Sequence, residues 1–359
     1  MKQILCLTDG FTLGGAERQL IGLAHLLKEN EYEVDLACYH ENNFYKDLMH
    51  KYDLKCTILY PKGRFGKFLE VRKFINKGNY DYVIAYKDGA TMIASILKLL
   101  GMKPKLIVSE RNTTQVLTKR ERFKFWLYKF ADFIVPNSYS QGEFIQTHFS
   151  ILKKKTVVIT NFTDTQTFVP IKNYKSDNIL NIVIAGRIAE QKNILRFLDV
   201  LKRLKDLSLP YHFQWFGNVS AGEHEYEDEI KKRLYALKLE DMIDFLPATN
   251  NIKEEYQKCD AFCLPSLYEG YPNVVCEAMS CGKPILCSKV CDNPFIVEEE
   301  INGFMFNPLS VEDMVFAFER FASLSFEERA IMGCQSRRIA EEKFSEEAFV
   351  QKYIKLIES

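Results

Sequence analysis

Short apolar runs alternate with longer amphipathic segments along almost the whole chain, and this alternation narrows the available folds more than any other feature. Runs at 3–8, 34–39, 82–85, 105–109, 133–137 and 156–159 have the length and bounding turns of buried strands, with helical spacing of apolar residues between most of them. A strand, a crossover helix and a second strand bring the chain back in the same direction, so the pattern predicts parallel sheets with helices on both faces. It lapses across the polar stretch 163–178, which contains Pro170, and restarts at 180–185. Beyond that point it reads as strand 181–185, helix 192–206, strand 213–216, helix 225–238, strand 243–246, a short helix and strand 261–264, with helical segments 311–324 and 326–358 to finish. Two doubly wound α/β units follow, and 359 residues, 47% of them hydrophobic, suffice for a core in each.

Doubly wound sheets bind ligands beyond the carboxyl ends of their strands. The turn after the run 261–264 is the most informative of these: Pro265-Ser-Leu-Tyr-Glu-Gly-Tyr-Pro-Asn-Val-Val-Cys-Glu-Ala-Met-Ser-Cys-Gly-Lys-Pro284. Pro272 reads as the first-turn proline of a helix reaching about Cys281, which leaves Glu269 and Gly270 in the turn. The opening amides of a helix lack internal partners and carry the positive end of its dipole, so the backbone of Gly270, Tyr271, Asn273 and Val274 forms an anion site. Asn273 and Glu277 are four apart and share one helix face. Phosphates on the amides and hydroxyls on Glu269 and Glu277 would accommodate a nucleotide-sugar. The plainer reading of Glu277 alone is a carboxylate that complements the helix dipole.

A second turn lies in Ile182-Val-Ile-Ala-Gly-Arg-Ile-Ala-Glu-Gln-Lys192, where the strand ends at Gly186, Arg187 leaves its tip and Lys192 opens the next helix. A forked guanidinium and a compact ammonium beside one loop suit a diphosphate. The alternative is a solvated helix start with a surface ion pair to Glu190. Near the start of the chain, Gly14-Gly15-Ala16-Glu17 follows the first strand and opens a helix; on physics alone it is equally an ordinary turn. Neither the dinucleotide fingerprint GxGxxG nor a GxxxxGK[ST] loop is present.

In these residues the chain resembles the retaining glycosyltransferases of family 4, the group 1 transferases with two Rossmann-like domains. The Glu-x7-Glu motif at Glu269 and Glu277, the spacing from Gly186-Arg187 to Lys192 and the Gly14-Gly15-Ala16-Glu17 turn carry the resemblance, which spans nearly the whole chain and is most specific from about 181 to 307. It implies two Rossmann-like sheets facing across a cleft, the GT-B type. The implied acceptor domain is 1–165, followed by a linker at 166–178, a nucleotide-sugar domain at 179–340 and a final helix, 341–359, crossing back to the first domain. In that scheme Arg187, Lys192 and Glu269 are catalytic, with Glu269 on the transferred sugar. Gly15, Gly186, Gly270, Tyr271, Asn273, Val274 and Glu277 bind the donor, Glu277 through the ribose hydroxyls. Gly14, Glu17, Glu110, Arg111 and Asn112 are candidates for the acceptor side. Many relatives have a His-Asp or similar pair where this chain has Ser109-Glu110-Arg111-Asn112, an ending similar to that of N-acetylgalactosamine transferases building lipid-linked glycans. Cys291-Asp-Asn293 replaces another frequent Gly-rich turn, and Asn161 opens a stretch similar to the family's Asn-Gly-Val-Asp hinge.

The expected activity is retaining, metal-independent transfer of a hexose or N-acetylhexosamine from a UDP-sugar, with a GDP-sugar second, to a lipid-linked or oligosaccharide acceptor. No cofactor is expected beyond the nucleotide-sugar substrate. Two other readings keep the same residues: a nucleotide-sugar epimerase or phosphorylase of this fold, and a non-catalytic nucleotide-sugar-binding scaffold. The zero net charge hides an asymmetry, since Lys and Arg outnumber Asp and Glu by 25 to 17 through residue 168 and are outnumbered 23 to 31 thereafter. A basic first half suits an anionic surface such as phospholipid headgroups. The segment 119–130 interleaves bases with aromatics: either it lies in a membrane interface, or Phe125, Leu127, Tyr128 and Phe130 face the core while the bases are solvated. No nucleic-acid recognition module is present. With no secretory leader, no long apolar span and ten cysteines without a CxxC pair, the expectation is a cytoplasmic protein with free thiols, peripheral on the inner membrane face. Cys259, Cys263, Cys287 and Cys291 read as buried core residues rather than a zinc site.

Overall fold

The computed structural model describes residues 1–12, 15–41, 44–63, 65–114, 116–171 and 178–359. The chain divides into two compact units, one of residues 1–162 with 346–359 and the other of residues 163–345.

In the first unit, strands β1 (Gln3–Thr8), β2 (Glu33–Cys38), β3 (Cys56–Ile58), β4 (Tyr82–Tyr86), β5 (Lys105–Glu110) and β6 (Phe133–Pro136) form a parallel sheet in the order β3-β2-β1-β4-β5-β6. Register is continuous from Ile4 beside Val34 on one side to Ile4 beside Tyr82 on the other. Strand order reverses between β1 and β4, the kind of switch point at which doubly wound sheets bind ligands. Helix Gly15–Glu29 covers one face together with Glu346–Glu358, through Leu20, Leu23, Leu27, Phe349, Tyr353 and Ile357. Gly22 lets the Phe162 ring pass, since a Cβ there would lie 2.2 Å from it. The opposite face is covered by Gly66–Lys77, Asp88–Leu99, Lys119–Tyr128 and Tyr139–His148.

The second unit repeats this plan with β7 (Leu180–Ala185), β8 (Tyr211–Phe216), β9 (Ile243–Leu246), β10 (Ala261–Leu264), β11 (Ile285–Ser288) and β12 (Gly303–Phe306), ordered β12-β11-β10-β7-β8-β9. Here the reversal falls between β7 and β10. Both turns singled out in the sequence leave those two strands. The central strand β10 is apolar throughout because both faces of the sheet are covered, by Phe197, Leu201, Phe318 and Phe321 on one side and by Val275, Met279, Ile339 and Phe344 on the other, whereas β8 and the edge strand β9 carry His212, Gln214 and Asp244.

Several elements differ from the sequence expectation. Residues 156–159 are not a strand: a 3₁₀ helix, Ser150–Lys155, precedes them, and they only bond along the β6 edge, Val157 N to Ile134 O at 2.9 Å and Ile159 N to Pro136 O at 3.1 Å. β3, β11 and β12, three to four residues each, are strands that the sequence reading did not include. The last helical segment is two helices, Phe326–Phe344 and Glu346–Glu358, broken at Ser345. All ten cysteines are free thiols.

Candidate active site

Strand β7 ends where Gly186 donates its amide to Phe216 O at 3.0 Å and accepts from the Trp215 indole at 2.9 Å. A Cβ on Gly186 would lie 2.9 Å from Lys192 Cε, so glycine is what lets the lysine side chain cross the strand tip. Lys192 does not open the long helix. It closes a 3₁₀ turn, Glu190–Lys192, and Asn193 in the left-handed region (φ 61°) resets the chain before helix Ile194–Asp206.

This turn is fastened to the turn after β10. The buried Asn193 amide donates to Pro265 O at 3.1 Å and to Pro308 O at 2.8 Å; Gln191 donates to Tyr268 O at 2.8 Å, and Leu267 N to Gln191 O at 2.9 Å. The outcome is a buried ion pair, Lys192 Nζ to Glu269 Oε1 at 2.5 Å, each side chain 11% exposed. Arg187 is exposed beside it, with no ion pair among the described residues. With Lys192 paired to Glu269, Arg187 is a positive charge at this strand tip that has no acidic partner among the described residues.

After Glu269 the chain passes Gly270 and the buried Tyr271, whose ring meets Phe344 edge-on at 5.7 Å. Pro272 caps helix Asn273–Ser280 from just outside it, one position earlier than the sequence placed it. The opening amides of Asn273 and Val274 and the buried Glu277 therefore belong to one helix mouth at the β7/β10 switch point. Cys291, also left-handed (φ 46°), lies against Glu269, and burial raises its thiol.

In the first unit, Gly14 lies outside the described residues, and Gly15 begins helix Gly15–Glu29. Glu17 is buried and accepts from Thr12 Oγ1 at 2.8 Å and Lys87 Nζ at 2.7 Å. Lys87, at the tip of β4, was not picked out by sequence reasoning. Glu110 is turned inward: it is 1% exposed and paired with Lys124 at 2.9 Å, while Lys124 also meets Glu121 at 2.8 Å and Asp88 at 3.3 Å. Burial pushes the Glu110 carboxyl up, opposed by Lys124. Arg111 is consumed internally, donating to Ser109 Oγ at 2.8 Å, Asn161 Oδ1 at 2.7 Å, Tyr353 OH at 3.2 Å and the Tyr86 hydroxyl, with its guanidinium 4.2 Å from the Tyr86 ring centroid. Asn112 is exposed, near Asp88. Of the three, only Asn112 is free of the interior. In the segment 119–130, Phe125, Leu127 and Tyr128 are core and Lys124 is buried with them, whereas Phe123 and Trp126 are exposed.

Comparison with known proteins gives the family and the fold. Residues 166–339 match the family described as Glycosyl transferases group 1, and residues 13–167 match Glycosyltransferase Family 4. A Campylobacter jejuni protein named GalNAc-alpha-(1->4)-GalNAc-alpha-(1->3)-diNAcBac-PP-undecaprenol alpha-1,4-N-acetyl-D-galactosaminyltransferase is 29% identical over 294 residues, covering 78% of this chain and 77% of that protein. An Escherichia coli UDP-Gal:alpha-D-GlcNAc-diphosphoundecaprenol alpha-1,3-galactosyltransferase is 23% identical, covering 86% and 84%. The crystal structure of Anabaena Alr3699/HepE in complex with UDP superposes with a TM-score of 0.85 at 20% identity, over 100% of both chains.

Proposed function

Since the chain belongs to the group 1 glycosyltransferases and has their GT-B architecture, we propose that it transfers a hexose or N-acetylhexosamine from a UDP-sugar, with retention, to a lipid-linked glycan. The observation that carries this reading is the Lys192–Glu269 pair at the switch point of the second unit, beside the exposed Arg187 and the mouth of helix Asn273–Ser280.

The donor diphosphate binds at the helix mouth, and Glu277, one turn along, takes the ribose hydroxyls. An ammonium has three donors, so Lys192 can hold Glu269 and a phosphate oxygen together. Held in this way, Glu269 presents its second oxygen to hydroxyls of the transferred sugar. Transfer breaks the bond between the anomeric carbon and the phosphate oxygen and forms one to the acceptor oxygen on the same face. The acceptor proton passes to the departing phosphate. Charge grows on the leaving group, where Arg187, Lys192 and the helix amides meet it; losing one such donor costs about 3–4 kcal/mol. Because fixed cations supply that stabilisation, turnover is expected to survive chelation of divalent metals.

Three relations support the substrate classes. The Escherichia coli relative is named for UDP-Gal and a diphosphoundecaprenol acceptor, the Campylobacter jejuni relative for a PP-undecaprenol glycan, and the Anabaena neighbour was solved with UDP. The test is a panel of UDP- and GDP-sugars with purified protein, with and without a membrane lipid extract, following nucleoside-diphosphate release. Release from one UDP-sugar that rises with the extract supports the reading. Conversion of the nucleotide-sugar without release, or release indifferent to the lipid, would replace it.

A further inference from the structure

Helix Lys119–Tyr128 has more apolar surface than its unit buries. Its inner face, Lys124, Phe125, Leu127 and Tyr128, is at most 2% exposed. On the outer face, Phe123 and Trp126, one turn apart, are 49% and 46% exposed, with rings stacked at 5.9 Å. Trp126 meets Phe130 edge-on at 5.6 Å, which lengthens the stripe by another turn, and exposed Val116 precedes it. Bases edge the stripe. Lys119, Arg120 and Arg122 are exposed, and Lys129 Nζ sits 4.2 Å from the Trp126 ring centroid. Glu121, the one acid between 116 and 130, is taken by Lys124. Arg120 reaches Asp88 at 3.7 Å; Lys119, Arg122 and Lys129 have no acidic partner among the described residues.

We propose that this stripe seats the first unit on an anionic lipid bilayer, with Phe123, Trp126 and Phe130 at headgroup depth and Lys119, Arg122 and Lys129 on lipid phosphates. Charge complementarity favours this occupant: bases without an acidic partner among the described residues flank the aromatics, in a unit where Lys and Arg outnumber Asp and Glu by 27 to 19. Stacked aromatic rings with an apolar body and a polar or cationic edge suit the membrane interface. The proposal rests on the lipid-linked acceptor reading for its purpose, since an acceptor anchored in a bilayer is met at the bilayer surface.

The chain has two tryptophans, and Trp215 is fully buried, so a change in emission at a lipid surface reports Trp126. Full-length protein is mixed with vesicles of phosphatidylcholine alone or with phosphatidylglycerol, some carrying brominated acyl chains. Mixed anionic vesicles should shift the emission to the blue, and brominated lipid should quench it; neutral vesicles should do so far less. Each base near an anionic surface is worth about fivefold in binding, so Lys119→Gln with Arg122→Gln should weaken it roughly 25-fold. Phe123→Ser with Trp126→Ser should abolish co-sedimentation without altering the thermal transition. Co-sedimentation of wild type without quenching, equal binding to neutral vesicles, or a stripe that instead holds two copies together and is broken by the serine variant would each overturn the proposal. Parallel turnover with a short, water-soluble diphospholipid acceptor separates the two readings. Quenching without turnover sinks the transferase reading alone, and turnover without quenching sinks the membrane surface alone.

Discussion

Lys192→Ala tests whether the ion pair at the β7 tip serves chemistry, stability or both. The ammonium lies 2.5 Å from Glu269 Oε1, and each side chain is 11% exposed. Removing one partner of a buried pair leaves the other charged and poorly solvated, which costs about 3–5 kcal/mol. We take the lower end, about 3 kcal/mol, because the pair sits at a strand tip rather than in the core. For a unit of this size each kcal/mol moves the midpoint by about 2–4 °C, so the thermal transition should fall by roughly 6–12 °C. Turnover should fall 100- to 1,000-fold, the cost of about one lost donor to the leaving group. Lys192→Met with Glu269→Gln removes both charges at similar volume and should recover stability to within about 1–2 kcal/mol of wild type, yet stay inactive. The assays are calorimetry and nucleoside-diphosphate release on the same preparations. A stable and active Lys192→Ala, or a double variant that regains turnover, would refute the reasoning.

Three further outcomes are expected. Gly186→Ala places a Cβ 2.9 Å from the flexible end of Lys192; stability should change by less than about 1.5 kcal/mol while turnover falls on the order of tenfold, measured by denaturant midpoint against kcat. Arg111→Ala, which removes four hydrogen bonds joining β4, β5, Asn161 and Tyr353, should destabilise the first unit by about 3 kcal/mol without altering UDP binding by the second, as titration calorimetry would show. For Lys124, burial opposes the charge, but Glu110, Glu121 and Asp88 outweigh it, and its pKa is held above the ordinary 10.5. A raised folded value makes its contribution complete below that ordinary pKa and lost as pH rises through the folded one. Thermal scans across the alkaline range should therefore show a steeper fall for wild type than for Lys124→Met, which is already weaker at neutral pH.

The parts of this molecule legible in sequence are those set by local rules. The β7 and β10 turns announce themselves because Gly186, Arg187, Glu269, Gly270 and Pro272 sit where apolar runs stop, and parallel topology then brings their tips together. The Lys192–Glu269 bond was hidden because its partners are 77 residues apart and depend on Asn193 holding a left-handed turn between two carbonyls. An Asn just before an apolar helical pattern was the available clue. Glu110 and Lys124 misled for the opposite reason: charge predicts exposure, but separations of 14 residues (Glu110 to Lys124) and 36 (Asp88 to Lys124) cannot reveal that the Lys124 ammonium meets both carboxylates beneath its own helix. Residues 156–159 have strand composition and an edge to lie on, but the 3₁₀ turn before them limits ladder pairing to a single bridge.

The last helix also fixes an order of assembly. Ile357 O accepts from the Tyr82 hydroxyl at 2.7 Å, Glu358 from Lys2 at 2.8 Å, and Phe349 fills the space beside Phe162. Residues 1–162 thus lack part of one helical layer until residues 346–359 have been made, whereas residues 163–345 hold the full set of strands of their unit without them. During synthesis the core of the first unit would therefore be completed later than that of the second, with the apolar surface around Tyr82 and Phe162 uncovered until then.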